Sequence, residues 1–230
     1  MKWFIVVVAS LWVAGAMAES PDGGRLTVVG EGFADAVPDM ATITLGVMSE
    51  AKTAGVALRE TSAATAEVLA LLTDKGIAPR DMQTSNLSLS PLWNNSSSLN
   101  GERGISGYQA NNTVVVRVRA LDGLGEILDA VVDQGANTFN GLSFGLQNPG
   151  PAQDAARKAA VAEAMRKAAL YTEAAGLVLG PVLELSESGA ATPQPMAMER
   201  MVMAVKAVPI AQGEVSVEAC VTMVFSLMEK

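Results

Sequence analysis

The amino-acid sequence predicts an α+β fold, a mainly antiparallel sheet covered on one face by about three helices, in the order ββαββαβαββ. Three observations carry this. Three long segments place apolar or small residues at helical spacing, and each stops at a glycine: Gly76, Gly135 and Gly176. A strand pattern follows each glycine within a short loop. The remaining segments alternate with period two, as strands with one buried face do. The spacings differ too much for a solenoid, so this is one supersecondary unit used three times.

Arg25 to Gly30 and Met40 to Val47 read as the first two strands; in the second, Ile43, Leu45 and Val47 point one way and Thr42 and Thr44 the other. Glu31 to Asp39, with Gly32, Asp35 and Pro38, reads as a hairpin loop between them. A helix follows from about Thr53 to Lys75, with Leu58, Thr61, Thr65, Val68 and Leu72 inside. Met82 to Leu89 is the third strand, ended by Pro91, and Asn94 to Gly104 is a polar loop. Ser106 to Ala120 is the fourth strand, with Val114, Val116 and Val118 on one face and Val115, Arg117 and Arg119 on the other.

Asp122 is placed to cap a second helix with Leu124, Ile127, Leu128, Val131 and Val132 inside. Gly141 to Leu146 is the fifth strand. Ala152 to Ala175 is the third helix, with its stripe at Val161, Ala164, Met165, Ala168, Tyr171 and Ala175. Pro181 to Leu185 makes a sixth strand and Val215 to Leu227 the last. Between these two lies a Pro/Ala/Met-rich excursion, 187–213.

The amino terminus is an export signal. Lys2 supplies the positive charge, Trp3 to Val13 the apolar run, and Ala16-Met17-Ala18 a small-x-small cleavage site. About eleven apolar residues are too few to span a bilayer, which takes roughly 20. Residues 1–18 are therefore read as a signal peptide cleaved between Ala18 and Glu19, 19–24 as a flexible start, and 25–230 as one domain in the periplasm. No second apolar run long enough to cross a membrane follows in the mature chain. Contact with the envelope would be peripheral.

Loss of Lys2 leaves 15 basic against 24 acidic residues, a formal charge of −9. So acidic a chain, without a basic stripe, repels phosphate backbones, which argues against nucleic acid as a partner. Histidine is absent, and with it the commonest general base and metal ligand. No serine lies in a nucleophile-elbow pattern and no acidic cluster has calcium-loop spacing. The chemistry argues against an enzyme, and no cofactor is expected.

A family likeness runs along the chain. It begins with Val28-Val29-Gly30-Glu31-Gly32, Asp39-Met40-Ala41 and Leu45-Gly46-Val47. It continues through Gly76-Ile77, Asp81-Met82-Gln83-Thr84, Gly107-Tyr108-Gln109-Ala110, Asn112 and Asp129. Gly135-Ala136-Asn137, Gly141-Leu142-Ser143-Phe144, Ala155, Arg157, Ala159, Ala164 and Lys167-Ala168 follow. Gly176-Leu177, Leu179-Gly180, Pro209-Ile210 and Gly213-Glu214 close it. In this order and spacing the chain resembles the SIMPL-domain family, the group of YggE-like periplasmic proteins and the periplasmic immunogenic protein of pathogens. The resemblance implies an exported, non-enzymatic bacterial protein that self-associates into a homo-oligomer, with a link in some members to oxidative or envelope stress. It implies no catalytic or ligand residues. Methionine density near residue 200 departs from the family's alanine-rich segment.

Several local motifs invite sharper readings. Val29-Gly30-Glu31-Gly32 lacks the third glycine and following helix of a phosphate loop and reads as a turn. Asp81 is expected to bond nearby backbone N–H groups, Tyr108 to be half-buried, and Asn137 to take the left-handed conformation after Gly135. Cys220, the lone cysteine, reads as a small buried hydrophobe within the last strand. Met196, Met198, Met201 and Met203 form the most distinctive cluster. Thioethers suit Cu(I), but they also fill packing gaps and scavenge oxidants. A binding module for Cu(I) or a small apolar ligand is thus the alternative to an association protein.

Overall fold

The computed structural model describes residues 24–94, 104–188 and 210–230, with the backbone of 194–195. The elements are β1 (Arg25–Ala36), β2 (Met40–Ala51), α1 (Ala54–Asp74), β3 (Met82–Trp93), β4 (Ile105–Val118), α2 (Leu124–Asp133), β5 (Thr138–Gly145), α3 (Gly150–Ala175), β6 (Val178–Glu187), β7 (Gln194–Pro195) and β8 (Val215–Met228). The α+β class and the order of elements are as the sequence predicts, with the two-residue β7 added inside the excursion.

The strands divide between two antiparallel sheets. One runs β1-β8-β6, with β7 also on β8; the other runs β3-β4-β2-β5. Helices α1 and α2 cover the second sheet. Its core joins Ile43, Leu45 and Val47 of β2 and Val114, Val116 and Val118 of β4 to Val68, Leu72, Leu124 and Val131. Helix α3 covers the first sheet, over Val28, Val217, Val221, Met223 and Phe225. Gly76, Gly135 and Gly176 all take positive φ, which is why these helices end where they do.

The expected β1–β2 hairpin is not formed. β1 extends to Ala36 and pairs β8 along its whole length, from Arg25 opposite Ser226 to Ala36 opposite Val215. Only Val37–Asp39 link it to β2, which belongs to the other sheet. Gly30 and Gly32 are therefore mid-strand residues. They lie under α3, whose buried stripe is Ala156, Ala160, Ala164, Ala168 and Thr172. A Cβ on Gly30 would collide with the carbonyl oxygen of Ala160, and one on Gly32 with the carbonyl oxygen of Ala156 and the amide of Ala160. Helix and strand meet backbone to backbone. The larger residues expected inside, Met165 and Tyr171, are on the exposed side.

Three further expectations are corrected. β3 continues through Pro91 to Trp93, because among the described residues it is an edge strand bonded to β4 alone and needs no N–H on its outer side there. Asp122 does not cap α2; it lies in a 3-10 turn, Leu121–Gly123, and Gly123 occupies the cap position without a side-chain bond. Val132 is exposed on α2.

Candidate functional site

The most structured polar feature is built where the two sheets exchange chain. A 3-10 turn, Pro79–Asp81, follows α1 and buries Asp81, whose side chain is only 4% exposed. The expected backbone bonds to its carboxylate are replaced by a partner 38 residues away. Arg119, just beyond β4, donates from Nε to Oδ2 at 2.8 Å and from Nη2 to Oδ1 at 2.6 Å. This two-point geometry suits a planar guanidinium.

The network extends from Arg119. Its Nη1 donates to Gln147 Oε1 at 3.3 Å. Gln147 in turn donates its backbone N–H to Asp39 Oδ1 at 2.6 Å and its Nε2 to Asp39 O at 2.8 Å. Asp39 ends the β1–β2 link, and Gln147 lies between β5 and α3. Among the described residues, both crossings between the sheets are thus tied to the end of β4. The bonds from Arg119 hold the Asp81 carboxyl below the usual carboxylate range against the opposing pull of burial, and the charges of Arg119, Arg80 and Arg117 add smaller attractions.

A cleft of about 330 Å³ opens beside this network, between the end of α1, the start of α2 and the end of β4. A smaller recess of about 190 Å³ is apolar, formed by Leu45, Leu128, Val131 and Phe139. No group of three or more Cys, Asp and Glu residues is arranged to hold a metal ion among the described residues. No described helix is long and apolar enough to cross a membrane.

A second feature is the outer edge of β3. Among the described residues no strand pairs it, and Leu87, Leu89 and Trp93 are 56%, 43% and 63% exposed. Ile105 of β4, opposite Trp93, is exposed too.

The remaining sequence-selected residues are dispersed. Met196, Met198, Met201 and Met203, and the cleavage site Ala18/Glu19, lie outside the described residues. Tyr108 is half-buried on β4. Asn137 is not left-handed. Its side chain instead accepts from Met48 N–H and donates to Met48 O, each at 2.8 Å, imitating a strand partner for the end of β2. Cys220 is half-buried, not buried, because it sits on the face of β8 turned away from α3, opposite Glu31. The Asp81–Arg119 pair was missed because both residues flank strand ends and nothing local links them. The only sequence signal is an arginine continuing the alternation of β4 past its last valine.

Comparison with known proteins adds a family and relatives. The model of SIMPL, described as a protein of unknown function (DUF541), matches residues 26–225. The chain is 38% identical over 212 residues to the "26 kDa periplasmic immunogenic protein" of Brucella melitensis biotype 1, covering 88% of this chain and 84% of that one. It is 32% identical over 225 residues to the "Uncharacterized protein YggE" of Escherichia coli strain K12, covering 96% of this chain and 89% of the relative.

Proposed function

The chain belongs to the SIMPL family, and from that premise we propose an exported periplasmic protein that acts without enzymatic chemistry. In this reading, residues 25–230 form one module that self-assembles and supports envelope or oxidative stress tolerance. The signal pattern of residues 1–18 and the word "periplasmic" in the name of the Brucella relatives support the compartment.

The observation that carries self-association is the β3 edge. An unpaired edge with exposed apolar side chains is a template for another strand, and proteins usually blunt it with charge, proline or cover. Pro91 blunts one position of β3 and leaves Met82 to Ser90 free of proline. The second copy is the occupant that a homo-oligomer supplies. Light scattering on the purified mature protein, across about a hundredfold range of concentration, should return a fixed multiple of the protomer mass. A strict monomer throughout would contradict the reading.

The second reading is a binding module for Cu(I) or a small apolar ligand, favoured by the spacing of Met196, Met198, Met201 and Met203. Replacement of all four by leucine separates the two. Assembly should persist in the variant, whereas loss of a measurable Cu(I) affinity would shift the account to the metal.

A further inference from the structure

The cleft at the end of β4 has a charge opposite to that of the molecule. The chain carries a formal −8, yet four of its sixteen basic residues, Lys75, Arg80, Arg117 and Arg119, line this one opening. Only two acids, Asp81 and Glu126, line it with them. Asp81 is consumed by its two bonds to Arg119. Arg80 approaches Asp81 only at 3.9 Å and is 80% exposed, and among the described residues Arg117 and Lys75 make no ion pair. Three cations thus stand around the opening with their hydrogen-bonding capacity largely unspent.

The backbone of the cleft adds to this. Near the end of α1 the carbonyls of Leu71, Thr73 and Leu72 accept from the Lys75, Gly76 and Ile77 N–H groups. On the other wall α2 begins at Leu124, after a Gly123 cap that supplies no side-chain bond, and presents the positive end of a ten-residue helix. Glu126 offsets part of that field. Arg119 already grips both oxygens of the Asp81 carboxylate, two-point geometry that also suits other planar or tetrahedral oxyanions. About 330 Å³ is at the small end of the range of ligand sites.

We propose that this cleft binds a small oxyanion-bearing molecule, phosphate or carboxylate in class, held by Arg80, Arg117 and Lys75 over the Asp81–Arg119 pair. Arg119 is the positioning residue: anchored on Asp81 and Gln147, it fixes the floor against which the free cations work. In an acidic protein a local basic opening also selects the bound orientation, since an anion is repelled by most of the surface and attracted at one place. The same chemistry belongs to a free solute and to the headgroup of an anionic lipid. The inference is independent of self-assembly, because β3's edge lines no part of the cleft.

Calorimetric titration of the purified protein with inorganic pyrophosphate and with citrate, beside co-sedimentation with phosphatidylglycerol vesicles, tests it. Saturable binding is expected for at least one of these probes. It should weaken at least tenfold in the double variant Arg80→Gln/Arg117→Gln and stay within twofold in Arg157→Gln, which lies on α3 away from the cleft. Raising salt from about 0.05 to about 0.5 M should weaken it as well, since exposed charges are screened. Binding of the soluble probes assigns a free ligand, and binding of vesicles alone assigns a headgroup. On the wild-type protein, the guanidinium NMR signals of Arg80 and Arg117 should shift during the titration, a readout that does not depend on any variant folding. No saturable binding of any probe, equal affinity in the double variant, or unmoved arginine signals would overturn the proposal.

Discussion

Gly32→Ala should destabilise the protein by about 3 kcal/mol or more, although it adds one methyl group. Overpacking a core usually costs about 1–3 kcal/mol because side chains rotate away. Here the added carbon meets the carbonyl of Ala156 and the amide of Ala160, both backbone, and neither can rotate away. Relief requires α3 to lift from β1. That would open the core over Val28, Val217 and Phe225. Because whole domains are stable by only about 5–15 kcal/mol, such a loss is a large share of the total. Gly30→Ala should act similarly, through Ala160 and Ala164. Gly104→Ala, where nothing lies near the new carbon and φ is not positive, should be close to neutral. Urea unfolding of the three variants checks this. Equal midpoints for Gly32→Ala and Gly104→Ala would refute the close contact.

Asp81→Asn should lower stability at neutral pH by about 2 kcal/mol, since hydrogen bonds to charged groups contribute about 1.5–3 kcal/mol. The lower part of that range applies because the Arg119 side chain is 40% exposed and water screens the pair. The pH dependence has a definite sign. The carboxyl is held below its ordinary value in the folded protein, so the unfolded chain takes up its proton first as pH falls. The stabilisation is complete above the unfolded value of about 3.9 and disappears as pH drops through the lower folded value. Wild type and variant should therefore differ most at about pH 7, and the gap should narrow steadily as pH falls below about 3.9. Parallel stability curves, with the same gap at every pH, would show that the pair does not act through this ionisation.

These two predictions fall on the features that were hardest to read in the sequence. Strand β8 and the valine half of β4 were plain, since their alternation of large apolar residues gives the buried face directly. The contact of α3 with β1 was hidden because neither side uses large residues. Periodicity read by bulk selects Met165 and Tyr171, whereas the buried positions are alanines four apart. Gly30 and Gly32 look like a turn because glycine usually supplies one. Yet Val28, Gly30, Gly32 and Ala34 also keep a strand's period of two, and a row of small residues on a strand matches a row of alanines on a helix. Each pattern becomes legible only beside the other.

The partition into two sheets is illegible for a different reason. Local pattern says that a segment is a strand and which face is buried, but pairing is decided between strands far apart in the chain. β1 pairs β8, some 190 residues away, while the short Val37–Asp39 link suggested its neighbour β2. The Asp81–Arg119–Gln147–Asp39 network is non-local in the same sense. Its four members come from separate loops, and polar residues in loops carry no periodicity to betray a shared site. Pro91 pointed to an early end for β3, but an edge strand can carry a proline that an internal one cannot.

Association by shape is the centre of the account, and sedimentation velocity on wild type beside Leu87→Lys/Leu89→Lys addresses it most directly. Both leucines are exposed, so the lysines leave the fold intact and place charge on the proposed contact. The expected result is one discrete oligomer for the wild type and a monomer with an unchanged circular dichroism spectrum for the variant. A wild type that sediments as a monomer at every concentration, or a variant that assembles as before, would contradict it.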